Sequence, residues 1–122
     1  MTIRCLIVDD NDRFLAAARE LLEREGIAVV GVATDCAGAL QRTSELRPDV
    51  TLVDVQLGTE CGTDLAHSLA DASSADPHVI LMSVHAERDF CDLIEACPAL
   101  GFLPKTRLSG DAVRGFLASA AT

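Results

Sequence analysis

The chain has 122 residues, of which 49% are hydrophobic and 24% are charged, and its formal net charge is −9. This composition is typical of a globular protein, and the length predicts one domain over residues 1–122. A surface this acidic repels nucleic acid and anionic membranes, so we expect neither to be a partner of this chain by itself. No apolar run approaches the roughly 20 residues of a membrane span, and the first residues predict a strand instead of a signal peptide.

The cysteines indicate a reducing compartment. There are five of them, no CxxC pair occurs, and most lie at positions of apolar periodicity. These features favour buried reduced thiols over a disulfide or zinc framework. We therefore expect a cytoplasmic protein.

The first half of the chain predicts three strands and two helices. Residues 3–8, 27–33 and 50–55 are the apolar runs of three buried strands. Between them, apolar residues at helical spacing predict a first helix that ends at Gly26 and a second helix that Pro48 closes.

The second half continues this alternation. Residues 58–62 have no regular pattern and are expected to form a loop, after which a third helix is predicted. Residues 78–82 and 100–103 predict the fourth and fifth strands, with a fourth helix between them. A last helix follows Ser109, which is expected to cap it.

Strict alternation of five strands with five helices predicts an α/β fold with a parallel sheet covered on both faces. A barrel would need more units, so we expect an open doubly wound sheet with strand order 2-1-3-4-5. In that order strands 1 and 3 are neighbours. The functional site of such a sheet lies beyond the carboxyl ends of its strands.

Chemically distinctive residues follow four of the predicted strands. They are Asp9 and Asp10 after the first, Asp54 at the end of the third, Ser83 after the fourth and Lys105 after the fifth. The three carboxylates are expected to converge, and their mutual repulsion favours a bound hard cation. Mg²⁺ suits this site because it binds one or two carboxylates and leaves room for a phosphoryl oxygen. The set predicts an aspartate that accepts a phosphoryl group, with Mg²⁺ and a lysine offsetting the charge.

At these positions the chain resembles the response-regulator receiver domains of two-component signalling. The resemblance rests on the residues just named, on Gly62 eight residues after Asp54, and on Phe102 three residues before Lys105. It covers essentially the whole chain and implies the flavodoxin-like receiver fold. Departures from the family pattern include Ser83 where threonine is commoner and Thr106 where proline is usual.

The resemblance implies a phosphoacceptor and a metal site. Asp54 would accept the phosphoryl group. Asp10 would bind Mg²⁺, or Mn²⁺ in its place, directly, and Asp9 would act largely through water. The backbone carbonyl of Gln56 would be a further ligand.

The resemblance also implies contacts for the transferred phosphoryl group. Lys105 would pair with its oxygens and, before transfer, with the Asp54 carboxylate. Ser83 would also contact the phosphoryl oxygens, and Phe102 would be the aromatic switch residue that swings inward once Ser83 moves. Gln56 and His85 lie where the family tunes dephosphorylation.

The family implies a histidine kinase as phosphodonor. Phosphorylation would change a surface formed by the fourth helix, the fifth strand and the last helix, through which a homodimer can form. The stretch 101–106 is similar to receivers joined to helix-turn-helix domains, so both a stand-alone receiver and a part of a longer transcriptional regulator remain open. We expect no enzymatic activity beyond self-catalysed phosphoryl transfer and dephosphorylation.

Other functions of this fold fit the residues less well. A flavodoxin-like carrier needs a Ser/Thr/Gly-rich phosphate cradle after the first strand, where this chain has four acid or amide residues. A phosphatase with an aspartyl nucleophile needs a second acid two residues after the first. Gln56 occupies that position after Asp54, although Asp10 and Asp12 have this spacing. A receiver-fold interaction module that is never phosphorylated remains the alternative.

Overall fold

The structure, a computed structural model, describes residues 2–58, 60–72, 78–83 and 99–121. Within these ranges five strands form one parallel sheet: β1 Arg4–Val8, β2 Ala28–Ala33, β3 Val50–Asp54, β4 Val79–Ser83 and β5 Gly101–Pro104. Their spatial order is β2-β1-β3-β4-β5. The predicted α/β class and the predicted strand order are therefore confirmed.

Four helices lie in the described part of the chain: α1 Asp12–Arg24, α2 Cys36–Leu46, α3 Gly62–Ala72 and a C-terminal helix, Gly110–Ala121. A single 3₁₀ turn, Lys105–Arg107, follows β5. The fourth helix expected from the sequence, around residues 90–97, lies outside the described residues. No helix of the described ranges is long and apolar enough to cross a membrane.

The core has two layers, one on each face of the sheet. Along β1, Cys5 and Ile7 point into one layer and Leu6 and Val8 into the other, as the two-residue period of a strand requires. α1 and the C-terminal helix cover the first layer, and α2 and α3 cover the second. Burial raises the pKa of the Cys5 thiol to about 12, so this thiol is protonated at neutral pH and serves in packing.

The loop predicted over residues 58–62 is wrong in part. Gln56–Leu57 pairs with Glu60–Cys61 in a short antiparallel hairpin, and α3 begins at Gly62. Gly58 has φ +61°, a left-handed conformation that glycine adopts without steric cost, which allows the tight reversal. Strands of two residues are too short to show a period in the sequence.

Polar side chains fix the helix starts. The side chain of Asn11 accepts the N–H groups of Arg13 and Phe14, so Asn11 is the N-cap of α1. Asp9 and Asp10, which precede it, do not serve as the N-cap and can make other contacts. Ser109 Oγ accepts the N–H of Ala112 at 3.0 Å, which confirms the predicted cap of the C-terminal helix.

Candidate functional site

The candidate site lies at the carboxyl edge of the sheet, where the ends of three strands meet. Asp9 directly follows β1, Asp54 is the last residue of β3, and Lys105 directly follows β5. Lys105 Nζ lies 2.5 Å from Asp9 Oδ2 and 3.1 Å from Asp54 Oδ2. The structure thus brings together side chains that are 45 and 51 residues apart along the chain.

A third carboxylate completes an acidic cluster. One oxygen from each of Asp9, Asp10 and Asp54 lies within 4.8 Å of the other two. Asp9 is fully buried and Asp54 is 7% exposed, whereas Asp10 is exposed. The cluster therefore consists of two buried acids and one acid that is accessible to solvent.

The two buried acids are oriented by their own loops. Asp9 Oδ1 accepts the N–H of Asn11 at 2.9 Å, and Asp54 Oδ1 accepts the N–H of Gln56 at 3.1 Å. Each aspartate therefore accepts an N–H group two residues further along the chain, a typical Asx turn. Both Oδ2 atoms contact the ammonium of Lys105.

The donor set fits a hard cation. Asp9 Oδ2 is buried and paired with the Lys105 ammonium at 2.5 Å. Lys105 supplies one positive charge to a cluster of three carboxylates, and a bound cation would offset the remaining negative charge. Three converging carboxylate oxygens are ligands that Mg²⁺ or Mn²⁺ prefers.

Burial and charge compete in setting the protonation of the site. Burial raises the pKa of the Asp54 carboxyl, and this effect outweighs the N–H of Gln56 and the ammonium of Lys105, which lower it. Burial lowers the pKa of Lys105, but Asp9 and Asp54 together raise it above its ordinary value. Lys105 is thus fully charged at neutral pH, and an additional cation would favour the ionised form of Asp54.

Gly62 permits the close approach of α3 to Asp54. A Cβ atom at Gly62 would lie 2.0 Å from the carbonyl oxygen of Asp54. The N–H of Gly62 donates to the carbonyl of Val55 at 2.7 Å, which ties the start of α3 to the end of β3. The glycine eight residues after the central aspartate therefore has a steric reason.

The remaining predicted residues divide into those near the site and one that the structure does not describe. Ser83 is buried at the end of β4, and its register partner is Pro104, so it lies at the same edge of the sheet as Lys105. Phe102 packs inward in the core layer that α3 covers. Gln56 is exposed beside Asp54, and His85 lies outside the described residues.

Two residues of the site were missed by the sequence analysis. Asn11 was not assigned to the site, but its N–H donates to Asp9 Oδ1 while its side chain caps α1. Phe14 was not assigned to the site either, yet its ring centroid lies 4.3 Å from Lys105 Nζ. An aromatic residue in the first turn of a helix that begins at the site edge is the signal that could have identified it.

Comparison with known proteins agrees with this geometry. The response regulator receiver domain family matches residues 5–111. The response regulator GacA of Pseudomonas viridiflava is 33% identical over 104 residues, which cover 84% of this chain and 48% of GacA. Protein-glutamate methylesterase/protein-glutamine glutaminase 5 of Myxococcus xanthus is 38% identical over 86 residues, 70% of this chain and 24% of that protein. The chain thus spans about a quarter to a half of the length of these curated relatives.

Solved structures show the same fold. The signal receiver domain of NarL from Mycobacterium tuberculosis superposes with a TM-score of 0.83 at 27% identity, covering 96% of this chain and 97% of that one. A LuxR-family response regulator from Aurantimonas gives a TM-score of 0.87 at 25% identity, covering 98% and 87%. The family match over most of the chain is decisive, and the chain belongs to the response regulator receiver domains of two-component signalling.

Proposed function

We propose that this domain, residues 1–122, accepts a phosphoryl group on Asp54 from a histidine kinase and thereby switches an output surface. The observation that carries the proposal is the pairing of a nearly buried aspartate with a lysine ammonium at 3.1 Å, inside a cluster of three carboxylates. An acceptor aspartate needs neighbouring positive charge, because transfer concentrates negative charge on the phosphoryl oxygens.

The reaction follows from the two oxygens of Asp54. Oδ1 accepts the N–H of Gln56, so Oδ2, which is paired with the Lys105 ammonium, is the proposed nucleophile. Attack of Oδ2 on phosphorus forms an acyl phosphate O–P bond and breaks the N–P bond of the phosphohistidine, whose imidazole leaves with the electron pair and takes a proton. The Lys105 ammonium contacts Oδ2 before transfer and pairs with the phosphoryl oxygens as they gain charge.

Mg²⁺, or Mn²⁺ in its place, is the cofactor that this donor set fits. Asp10 is the exposed acid and the direct ligand in this proposal, with Asp9 and Asp54 completing the carboxylates and the backbone carbonyl of Gln56 adding a neutral oxygen. When bound, the ion offsets the charge of the carboxylates and of the transferred group.

The proposed switch uses side chains on the last two strands together with Lys105, which directly follows β5. Ser83 and Lys105 shift to contact the oxygens of the transferred phosphoryl group. Phe102 then repacks within the core. The surface thus changed includes β5, the C-terminal helix and the helix expected before β5, and it is the proposed site of a homodimer or of output contacts. Gln56 and His85 are proposed to tune dephosphorylation. No enzymatic activity beyond this self-catalysed chemistry is proposed.

The test is intact mass spectrometry after incubation with Mg²⁺ and acetyl phosphate. The wild type should gain one phosphoryl group, and Asp54→Asn should gain none. Asp71→Asn is the matched control, because it removes the same charge from an exposed position of α3 and should gain the group normally. A wild type that gains no group from any donor would instead favour a receiver-fold interaction module that is never phosphorylated.

A further inference from the structure

We propose that Phe14 is a positioning residue for phosphoryl transfer, because its ring face holds the Lys105 ammonium beside the two buried carboxylates. The inference rests on the function proposed above. The observation behind it is the 4.3 Å separation between Lys105 Nζ and the centroid of the Phe14 ring. Phe14 belongs to α1, whereas Lys105 follows β5, so the contact joins two distant parts of the chain.

The ammonium is enclosed from three sides. On two sides it contacts Asp9 Oδ2 at 2.5 Å and Asp54 Oδ2 at 3.1 Å, and on the third side lies the ring of Phe14. The Lys105 side chain is only 11% exposed. The attraction between a cation and the negative face of an aromatic ring is strongest where water is excluded, so this contact is favourably placed.

The ammonium of a lysine in a phosphoryl-transfer site can occupy many positions, and an aromatic ring beside it can restrict them. Its side chain is long and flexible and ends in a point charge without directional preference. A rate gain from charge stabilisation requires that this charge already be in place when the transition state forms. A ring fixed to a helix restricts the positions of the ammonium without competing for the phosphoryl oxygens.

Phe14 and Asp9 are tied to each other through Asn11. The N–H of Asn11 donates to Asp9 Oδ1 at 2.9 Å, and Asn11 Oδ1 accepts the N–H of Phe14 at 3.2 Å. The next residue of the helix, Leu15, is buried in the core and anchors the turn. The carboxylate and the ring that contact Lys105 are therefore positioned by one turn of backbone.

Plain packing is the competing explanation, because Phe14 is half-buried against the core layer of α1. The two explanations differ in what they require of the side chain. Packing requires volume, which leucine largely supplies, whereas attraction of a cation requires electron density on the ring face. Fluorination of the ring removes that density with little change in shape.

The experiment uses the full chain with Tyr, Leu or trifluorophenylalanine at position 14. The rate of phosphorylation by acetyl phosphate with Mg²⁺ is expected to stay near that of the wild type for Phe14→Tyr. It should fall about two- to fivefold for Phe14→Leu and for the fluorinated ring. Phe116→Leu is the matched control, since Phe116 is half-buried in the same core layer but packs on Gly101, four residues before Lys105. Its rate should be unchanged.

A second measurement reports the contact without the reaction. In a carbon–proton NMR correlation spectrum, the Lys105 side-chain methylene protons nearest the ammonium should be shifted upfield by the ring current in the wild type and in Phe14→Tyr, and not in Phe14→Leu. A wild type without that shift, or a fluorinated variant as fast as the wild type, would overturn the positioning role. A wild type that shows the shift but takes no phosphoryl group would overturn the proposed function, and with it the role in transfer.

Discussion

Replacement of Gly62 by alanine should damage both stability and phosphoryl transfer. The added Cβ would lie 2.0 Å from the carbonyl oxygen of Asp54, 2.8 Å from its carbonyl carbon and 2.9 Å from Val53 Cγ1. Contacts below 3.0 Å force a shift, and two of these three atoms belong to the backbone of β3, which has parallel partners on both sides. Relief of the clash therefore requires that α3 move away from Asp54 by about 1 Å.

The cost has two parts. Overpacking of a well-packed site costs about 1–3 kcal/mol, and loss of the hydrogen bond from Gly62 N–H to the Val55 carbonyl adds about 1 kcal/mol. Alanine returns up to about 1 kcal/mol through its helix propensity. We expect a net loss of about 2 kcal/mol in the free energy of unfolding, and a phosphorylation rate lower by roughly tenfold or more because the acceptor is displaced.

The assay is urea unfolding followed by circular dichroism, together with the acetyl phosphate rate. Gly115→Ala is the control, since a Cβ there has no atom within 4 Å and lies in the middle of the C-terminal helix. That variant should be more stable than the wild type by about 0.5–1 kcal/mol. If Gly62→Ala were as stable as Gly115→Ala and were phosphorylated at the rate of the wild type, the steric account of the β3–α3 connection would be refuted.

Three further changes test other contacts of the site. Asn11→Ala should lower the free energy of unfolding by about 0.5–2 kcal/mol through loss of the α1 cap, and Asn11→Ser should retain most of it; equal unfolding curves for the two variants would contradict the capping role. Without divalent metal, Asp54→Asn should be more stable than the wild type at pH 7, because burial holds the Asp54 pKa above 3.8 and its ionisation costs stability as the pH rises through that raised pKa. The difference should shrink below about pH 4 in denaturant titrations, and a difference that is constant across pH would contradict the assignment. Asp10→Ala should weaken Mg²⁺ binding in calorimetric titration at least tenfold, and an unchanged affinity would argue against Asp10 as a ligand.

The sheet and the placement of the acids could be predicted from the sequence, because both follow from rules with few exceptions. Buried parallel strands are continuous apolar runs whose carboxyl ends lie at one edge of the sheet. Because β1 and β3 are neighbours, the acids at their ends were expected to lie close together. The steric role of Gly62 could not be derived in this way. It depends on the distance between a helix start and a strand carbonyl, which no pattern in the sequence encodes.

The contacts of Lys105 were predicted only in part. The family resemblance implied pairing with Asp54, but the shorter contact is with Asp9, and the ring of Phe14 was not anticipated. The conformation of a four-carbon side chain depends on the residues that pack around it at the end of the strand. A sequence pattern does not identify those residues. The short hairpin after β3 was missed for a different reason, since two-residue strands carry no periodic signal.

Asp54 is the residue proposed to take the phosphoryl group, and chemical reduction can locate that group directly. Reduction of the phosphorylated chain with borohydride converts an acyl phosphate of aspartate to homoserine, and peptide mass mapping then locates the modified position. We expect homoserine at position 54 alone, within the peptide that contains β3. Homoserine at position 9 or 10, or no modification in a chain shown to be folded and supplied with Mg²⁺, would contradict it.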